Sequence, residues 1–428
     1  MIPRLIELGD RLDESGRRIL SAPSHPAWLR AIPCVVAIPV RDEAERLPRC
    51  LRALAAQERD CGRLYRDGDL RVVIFANNCT DGSAEIARSL AQSLSLSLRI
   101  VECALPATRA HAGNARRGAM DIAERWLAEC GQSKGVILTT DADSYVPPNW
   151  LANNLAAITS GADAVLGQIT LDEDGDRLPD ALHRRGSLED AYGKLLAEIA
   201  ALLDPLESNP WPHHATVSGA SLAVTVEAYR RIGGLPRVPL GEDKAFVEEL
   251  LRRDAKVRFS PDVHVVTSGR VDGRAPGGVA DTLLLRSIDP GAFCDETLEP
   301  FRTAIKRASW RGRLRRLRGC GAMAKIGELV ATMGLSACYA RRILGASSFG
   351  AAWSMVEAAS PSLQRRLLTP ADLPGQIRRA GRVLVRLKCA PSNAAHNIET
   401  ESLVALAPHD PRGGARARDE ELSSLIAG

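Results

Sequence analysis

The sequence predicts an α/β protein built on a mainly parallel, doubly wound sheet. Two observations predict it. Between residues 34 and 140, short apolar runs alternate with segments of helical periodicity, the pattern of strands buried on both faces and joined by crossover helices. Polar residues also gather where the runs end, at 39–43, 77–83 and 141–143, the edge where such sheets place their ligands.

The elements follow in order. Residues 1–30 read as a helical leader ending at Pro23 and Pro26. A buried strand at 34–38 precedes an amphipathic helix at 43–57, with Leu47, Leu51 and Leu54 at helical spacing. Strand 71–76, helix 82–94 with Ser83 near its start, strand 98–103, helix 113–130 and strand 136–140 continue the alternation. Residues 151–270 read as mixed α/β. They contain a strand at 164–171, a helix at 187–203, a strand at 221–224, a loop and helix at 241–253, and a strand at 256–259. A Gly- and Arg-rich loop fills 268–278. We therefore divide the chain into the leader (1–30), an α/β region (31–278), a basic helical region (279–390) and a tail (391–428) whose polar, Pro-, Gly- and Ala-rich composition suits disorder.

Composition sets limits on function. The chain has 428 residues, and a net charge of +4 gives no global field that dictates a nucleic-acid partner. Aromatics at 4% are too few for base-stacking platforms. Ten scattered cysteines without a Cys-x-x-Cys pair argue against structural zinc and fit reduced thiols in a cytosol. The first residues lack a signal-peptide apolar stretch, and no run of eighteen apolar residues occurs. The expected location is cytoplasmic.

The densest chemistry lies in 135–151, GVILTTDADSYVPPNWL. An apolar strand ends in Thr139-Thr140 and delivers Asp141 and Asp143 before a Pro147-Pro148 turn. Residues two apart in extended chain face the same side, so the two carboxylates are placed to share one hard cation with phosphate oxygens. Asp-x-Asp also occurs in loops as a plain turn former.

Four segments in order resemble the family 2 glycosyltransferases of GT-A fold, over roughly residues 32–270. They are CVVAIPVRDEAERLPRCLRAL, VVIFANNCTDGSAEIA, ILTTDADSYVPPNWL, and VSGASLAVTVEAYRRIGGLP taken with GEDKAFVEELLRRDAKVRFSPD. The resemblance implies transfer of a sugar from a nucleotide-diphosphate donor, with Mn²⁺ or Mg²⁺ as cofactor. It makes Asp143 the direct metal ligand, with Asp141 touching the metal, the ribose or both. It makes Asp243 the general base of an inverting transfer, with Glu242 as its runner-up; both acids also suit a helix N-terminus on dipole grounds alone. Asn77 and Asp81 fall where the family reads the base. Ala76-Asn77 replaces the usual acidic pair there, and Asn keeps both a donor and an acceptor. Pro39 and Arg41 to Glu43 fall on the facing wall. His264 falls in the region of a third metal ligand, against the alternative of a structural histidine.

The remaining assignments rest on side-chain chemistry. Arg270 and Arg274 have the forked geometry that clamps a diphosphate. Ser218 and Gly219 are small enough to border a sugar pocket. His213 and His214 line an acceptor pocket or lie in a solvated loop. Arg116 and Arg117, near Asn114, read as surface or helix-packing residues, with contact to the donor as the alternative. The acid-free segment 302–318 has three readings: a solvated helical face, docking at the inner face of an anionic membrane, or a nucleic-acid contact, which the scarcity of aromatics places last. The acceptor is a saccharide, a lipid-linked molecule or a small molecule. Two other classes compete with a transferase. A sugar nucleotidyltransferase would show a basic, Gly-rich opening loop where PVRDEAE stands. A non-catalytic membrane-surface scaffold would not need Asp141, Asp143 and Asp243.

Overall fold

The computed structural model describes residues 32–389, apart from 61–62, 65–69, 92, 95, 133, 173–177 and 275–276; the leader and the tail lie outside the described residues. The first half alternates as expected: β1 (Cys34–Val40), α1 (Leu47–Ala55), the short strands β2 (Glu58–Asp60) and β3 (Arg63–Leu64), β4 (Leu70–Asn77), α2 (Ser83–Ala91), β5 (Leu96–Cys103), α3 (Ala112–Glu129) and β6 (Val136–Thr139). Next come β7 (Ser144–Tyr145), α4 (Trp150–Thr159), β8 (Ala164–Leu171), α5 (Asp180–Leu203), β9 (Leu222–Thr225), α6 (Val226–Arg231), α7 (Glu242–Arg252) and β10 (Val257–Thr267). Helices α8 (Val279–Ile288), α9 (Phe301–Gly319), α10 (Met323–Thr332), α11 (Cys338–Gly345), α12 (Phe349–Ala359) and α13 (Leu373–Cys389) complete the described chain.

The main sheet runs β5-β4-β1-β6-β9-β8-β10-β7. Strands β5, β4, β1 and β6 are parallel, as are β8 and β10. Strand β9 runs antiparallel between β6 and β8, and β7 antiparallel beside β10, so the sheet is mostly but not wholly parallel. Side chains alternate across it. Val36, Ile38 and Val40 enter the core under α1, α2 and α4, while Val35 and Ala37 enter the core under α3, α6 and α7. Both faces are covered, which is why β1 reads as a continuous apolar run.

Three boundaries depart from the sequence reading. Helix α1 starts at Leu47 rather than at 43, because the amides of Glu43 and Ala44 are taken by Ser83 Oγ and Asp81 Oδ2 across the sheet edge. Strand β10 runs on to Thr267 through a register shift between Ser260 and His264. Helix α5 begins at Asp180 and packs with the C-terminal helices: Tyr192, Ile199 and Leu203 share a core with Phe301, Ile305, Ile377 and Val383.

The basic segment is a solvated face only in part, with Arg302 and Arg316 exposed and Arg307 buried. It forms α9, the central helix of the helical region. Arg307 is buried against Glu299, at 2.7 and 2.8 Å, and pairs with Glu357. Arg311 and Arg315 both bind Asp204 beyond the end of α5, at 2.6 and 2.8 Å. Arg318 donates to the carbonyls of Ile343 and Ala346. Arg307, Arg311 and Arg315 are thus ion-paired within the fold. No described helix is long and apolar enough to cross a membrane.

Candidate active site

The carboxyl ends of β1, β4 and β6 open onto one crevice. Two loops form its rim. Asp42, at φ 52°, accepts the Thr80 amide at 2.7 Å and the Thr80 hydroxyl at 3.2 Å. Asp81 accepts Ala44 N at 2.8 Å with one oxygen, and Ser83 N and Oγ at 3.0 and 2.6 Å with the other. Burial would raise the Asp81 carboxyl; these hydrogen bonds outweigh it and hold the group below the usual range. Asp81 therefore staples the β1 loop to α2, a role the sequence did not announce. Asn77, at the end of β4, is buried at 2% exposure. Its neighbour Asn78 exchanges two hydrogen bonds with Leu105. Pro39 lies within β1. Arg41 donates to Ala110 O at 2.7 Å, and Arg274 to Asp42 O at 3.3 Å, so both brace the rim.

The acids at the end of β6 are each met by an arginine. Asp141 Oδ1 is 2.7 Å from Arg116 Nη2. Arg116 is buried, and its other nitrogens reach Thr139 Oγ1 at 3.1 Å, Gly219 O at 2.9 Å and Glu242 Oε1 at 3.2 Å. Burial opposes its charge, but the Asp141 and Glu242 carboxylates outweigh burial and hold the guanidinium charged. Asp143 Oδ2 is 2.9 Å from Arg270 Nη2, and the same guanidinium forks onto Glu43, with Nη1 2.9 Å from Oε2. Burial, and then the charge of Asp141, push the Asp143 carboxyl up to about 7, against the pull of Arg270. Arg270 thus holds the two walls of the crevice together.

The opposite side is built by α7. Gly241 precedes it at φ 70°, a left-handed turn that suits glycine. Asp243 then accepts Gly219 N at 3.0 Å and Lys244 N at 2.8 Å. Burial first, and the charge of Glu242 second, raise its carboxyl above the ordinary range. Gly219 is small for a different reason than sugar access. A Cβ there would sit 2.6 and 2.7 Å from Arg116 Nη2 and Nε, so the guanidinium occupies the space a side chain would need. Ser218 Oγ accepts Ala220 N at 3.2 Å.

The Nε2 of His264 lies 2.8 Å from Thr170 Oγ1, and it is the hydroxyl of Thr267, further along the same strand, that donates toward Asp143, at 3.5 Å. The Ser260–His264 register shift sets that placement. His214 is buried, with Nε2 3.1 Å from Leu166 O, and burial lowers it to about 4. His214 is therefore a neutral structural residue. His213, half-buried, contacts Trp211 edge-on. Arg117 packs on the Gly233-Gly234 turn through the carbonyls of Gly233 and Leu235.

Arg116 is the residue that sequence reasoning missed. A signal existed: it stands in phase with Met120, Ala123 and Leu127 on the buried stripe of α3, where a charge needs a partner. Among the described residues, Asp42, Cys79 and Asp81 group closely enough to suggest three metal ligands. Both carboxylates of that group already accept hydrogen bonds from the rim, Asp81 through both of its oxygens and Asp42 through Oδ1. By contrast, Asp141 and Asp143 fit a hard divalent cation. They repel one another, and with Glu43, Glu242 and Asp243 they make five carboxylates served by two guanidiniums.

Residues 35–214 match the sequence model of Glycosyl transferase family 2. No curated protein matches the chain. Among solved structures, it is similar to Staphylococcus aureus TarS residues 1–349 in complex with UDP-GlcNAc, at 14% identity and a TM-score of 0.41, covering 88% of this chain and 90% of that one. It is also similar to the mannosyltransferase PcManGT from Pyrobaculum calidifontis in complex with GDP-Man and Mn²⁺, at 17% identity and a TM-score of 0.39, covering 88% and 85%. The matched segment, 35–214, runs from β1 through α5 and holds the Asp141 and Asp143 edge of the sheet, and it is this part of the chain that is similar to Glycosyl transferase family 2.

Proposed function

We propose that the domain transfers a sugar from a nucleotide-diphosphate donor to an acceptor hydroxyl with inversion, using Asp243 as general base and Asp141 and Asp143 to hold Mn²⁺ or Mg²⁺. The observation that carries the reading is the half-buried placement of Asp243 beside the buried Glu242. Two backbone amides orient it, and burial, then the charge of Glu242, raise its carboxyl above the ordinary range, the direction that strengthens a base. Asp243 takes the acceptor proton as the hydroxyl oxygen attacks the anomeric carbon, opposite the departing diphosphate. When bound, the cation supplies Lewis-acid neutralisation of the leaving diphosphate. Arg116 fixes Asp141 and Glu242 at once and so sets the spacing between the donor and acceptor sides of the crevice. Arg270 and Glu43 close the donor wall.

The test is thermal melting with UDP, GDP, CDP and TDP, each with and without Mn²⁺. A ligand at a hundred times its dissociation constant adds about 2.7 kcal/mol of stability. A shift with one nucleotide that needs the metal and disappears in Asp143→Ala supports the reading and names the donor class. No shift with any diphosphate at millimolar concentration counts against it.

A further inference from the structure

The cation expected at Asp141 and Asp143 meets a competitor within the fold. Arg270 Nη2 lies 2.9 Å from Asp143 Oδ2. The same guanidinium forks onto Glu43, with Nη2 2.5 Å from Oε1 and Nη1 2.9 Å from Oε2. The side chains of Arg270, Asp143 and Glu43 are 9%, 17% and 7% exposed. Little water screens them, so each charge is felt strongly by its neighbours.

The two arginines of the crevice are held differently. Arg116 is locked. Besides Asp141 and Glu242 it donates to Thr139 Oγ1 and Gly219 O, and it fills the space beside Gly219. Arg270 rests on two carboxylates, and Asp143 holds it through one nitrogen where Glu43 holds it through two. The guanidinium can therefore leave Asp143 and stay on Glu43. The other oxygen of Asp143 faces the Thr267 hydroxyl at 3.5 Å, too long for a strong hydrogen bond. A cation on Asp143 either takes Oδ2 from the guanidinium or sits on Oδ1 with a like charge beside it. Both weaken its binding. A diphosphate changes the balance, because its oxygens match the guanidinium fork and replace the negative charge that Asp143 gives to the metal.

We propose that Arg270 is a positioning residue that competes with the metal for Asp143, so that a divalent cation binds tightly only together with a diphosphate. The proposal rests on the reading of Asp141 and Asp143 as the cation's ligands. Metal and donor then load as a linked pair, each raising the other's affinity by the same factor.

The experiment uses the full chain and begins with Mn²⁺ alone. Free Mn²⁺ is followed by electron paramagnetic resonance during titration of the wild type, Arg270→Gln, Arg270→Lys, Asp143→Asn/Arg270→Gln, and Arg382→Gln as an exposed charge control on α13. Arg270→Gln should bind Mn²⁺ about tenfold or more tightly than wild type, within the usual range of coupling between sites. Arg270→Lys keeps the charge and should stay within a few-fold of wild type, as should the control. Adding Asp143→Asn should abolish the gain. Damage to the crevice would weaken Mn²⁺ binding, so a purely structural role for Arg270 predicts the opposite sign. With UDP or GDP present, the rise in Mn²⁺ affinity that the nucleotide brings should be smaller in Arg270→Gln than in wild type. Should Arg270→Gln melt early because Glu43 is left buried without its cation, Glu43→Gln/Arg270→Gln is compared with Glu43→Gln, and the same tightening is expected. Equal or weaker Mn²⁺ binding by Arg270→Gln, or a gain that survives Asp143→Asn, overturns the proposal. Its failure beside a metal-dependent melting shift with a nucleotide would leave the transferase reading standing. Tightened Mn²⁺ binding with no nucleotide shift would support the competition at Asp143 and count against the transferase reading.

Discussion

Gly219→Ala tests whether Arg116 organises the active site. The new methyl would lie 2.6 Å from Arg116 Nη2 and 2.7 Å from Nε, about 1 Å inside ordinary contact distance. The guanidinium is not a free end that can swing away. It is held by Asp141 at 2.7 Å, Gly219 O at 2.9 Å, Thr139 at 3.1 Å and Glu242 at 3.2 Å. Relief requires breaking at least the bond to Gly219 O. Overpacking costs roughly 1–3 kcal/mol, and a hydrogen bond to a charged group is worth about 1.5–3 kcal/mol, so the expected loss is about 3 kcal/mol. At roughly 2–4 °C per kcal/mol for a domain of this kind, melting should fall by about 5–10 °C. Activity should fall with it, because Gly219 N also holds Asp243. Gly186→Ala is the control: it lies inside α5 with nothing near its added Cβ, and should be neutral or gain up to about 1 kcal/mol. A Gly219→Ala protein that melts within a degree of wild type and keeps its activity would refute the packing of Arg116 on this glycine.

Three further outcomes are expected. Asp243→Asn should lower kcat by at least about a hundredfold with little change in donor KM, and wild-type kcat/KM should fall as pH drops through the raised Asp243 carboxyl; an acid limb near the ordinary value of about 3.9 would contradict the assignment. His214, lowered to about 4 by burial, binds fewer protons folded than unfolded. Its stabilising contribution, up to about 3 kcal/mol, is present above pH ~6.5 and lost as pH falls toward 4, so urea unfolding of His214→Gln should show a weaker pH dependence across that window. Arg307→Met should destabilise by about 3–5 kcal/mol by leaving Glu299 buried without its cation; a melting temperature equal to wild type would show that the helical region does not depend on the pair.

Much of the site was legible before folding because its parts are local. Asp141 and Asp143 follow a four-residue apolar strand, and Glu242 and Asp243 open a helix; strand ends and helix starts have sequence signatures. Asp81 and Gly219 show contacts that their own segments do not reveal. Asp81 accepts backbone amides of its own rim, and the space beside Gly219 is filled by the Arg116 guanidinium. His264 follows a register shift inside β10, which its own segment does not announce, and its ring meets Thr170.

The sequence by itself determined the strand-and-helix alternation, the edge at which the polar residues collect, and the resemblance to a sugar-transferring family. Those follow from periodicity and local turn chemistry over a few residues. Only the tertiary structure decided which charges meet. Arg270 and Glu43 are 227 positions apart, Arg116 and Glu242 126, and Arg311 and Asp204 107. It also inserted β9 antiparallel into the sheet and gave α5 to the helical region. The physical reason is the same in each case. A buried charge or an apolar face needs a partner, but its own segment says only that one is required; the path of the whole chain supplies which one.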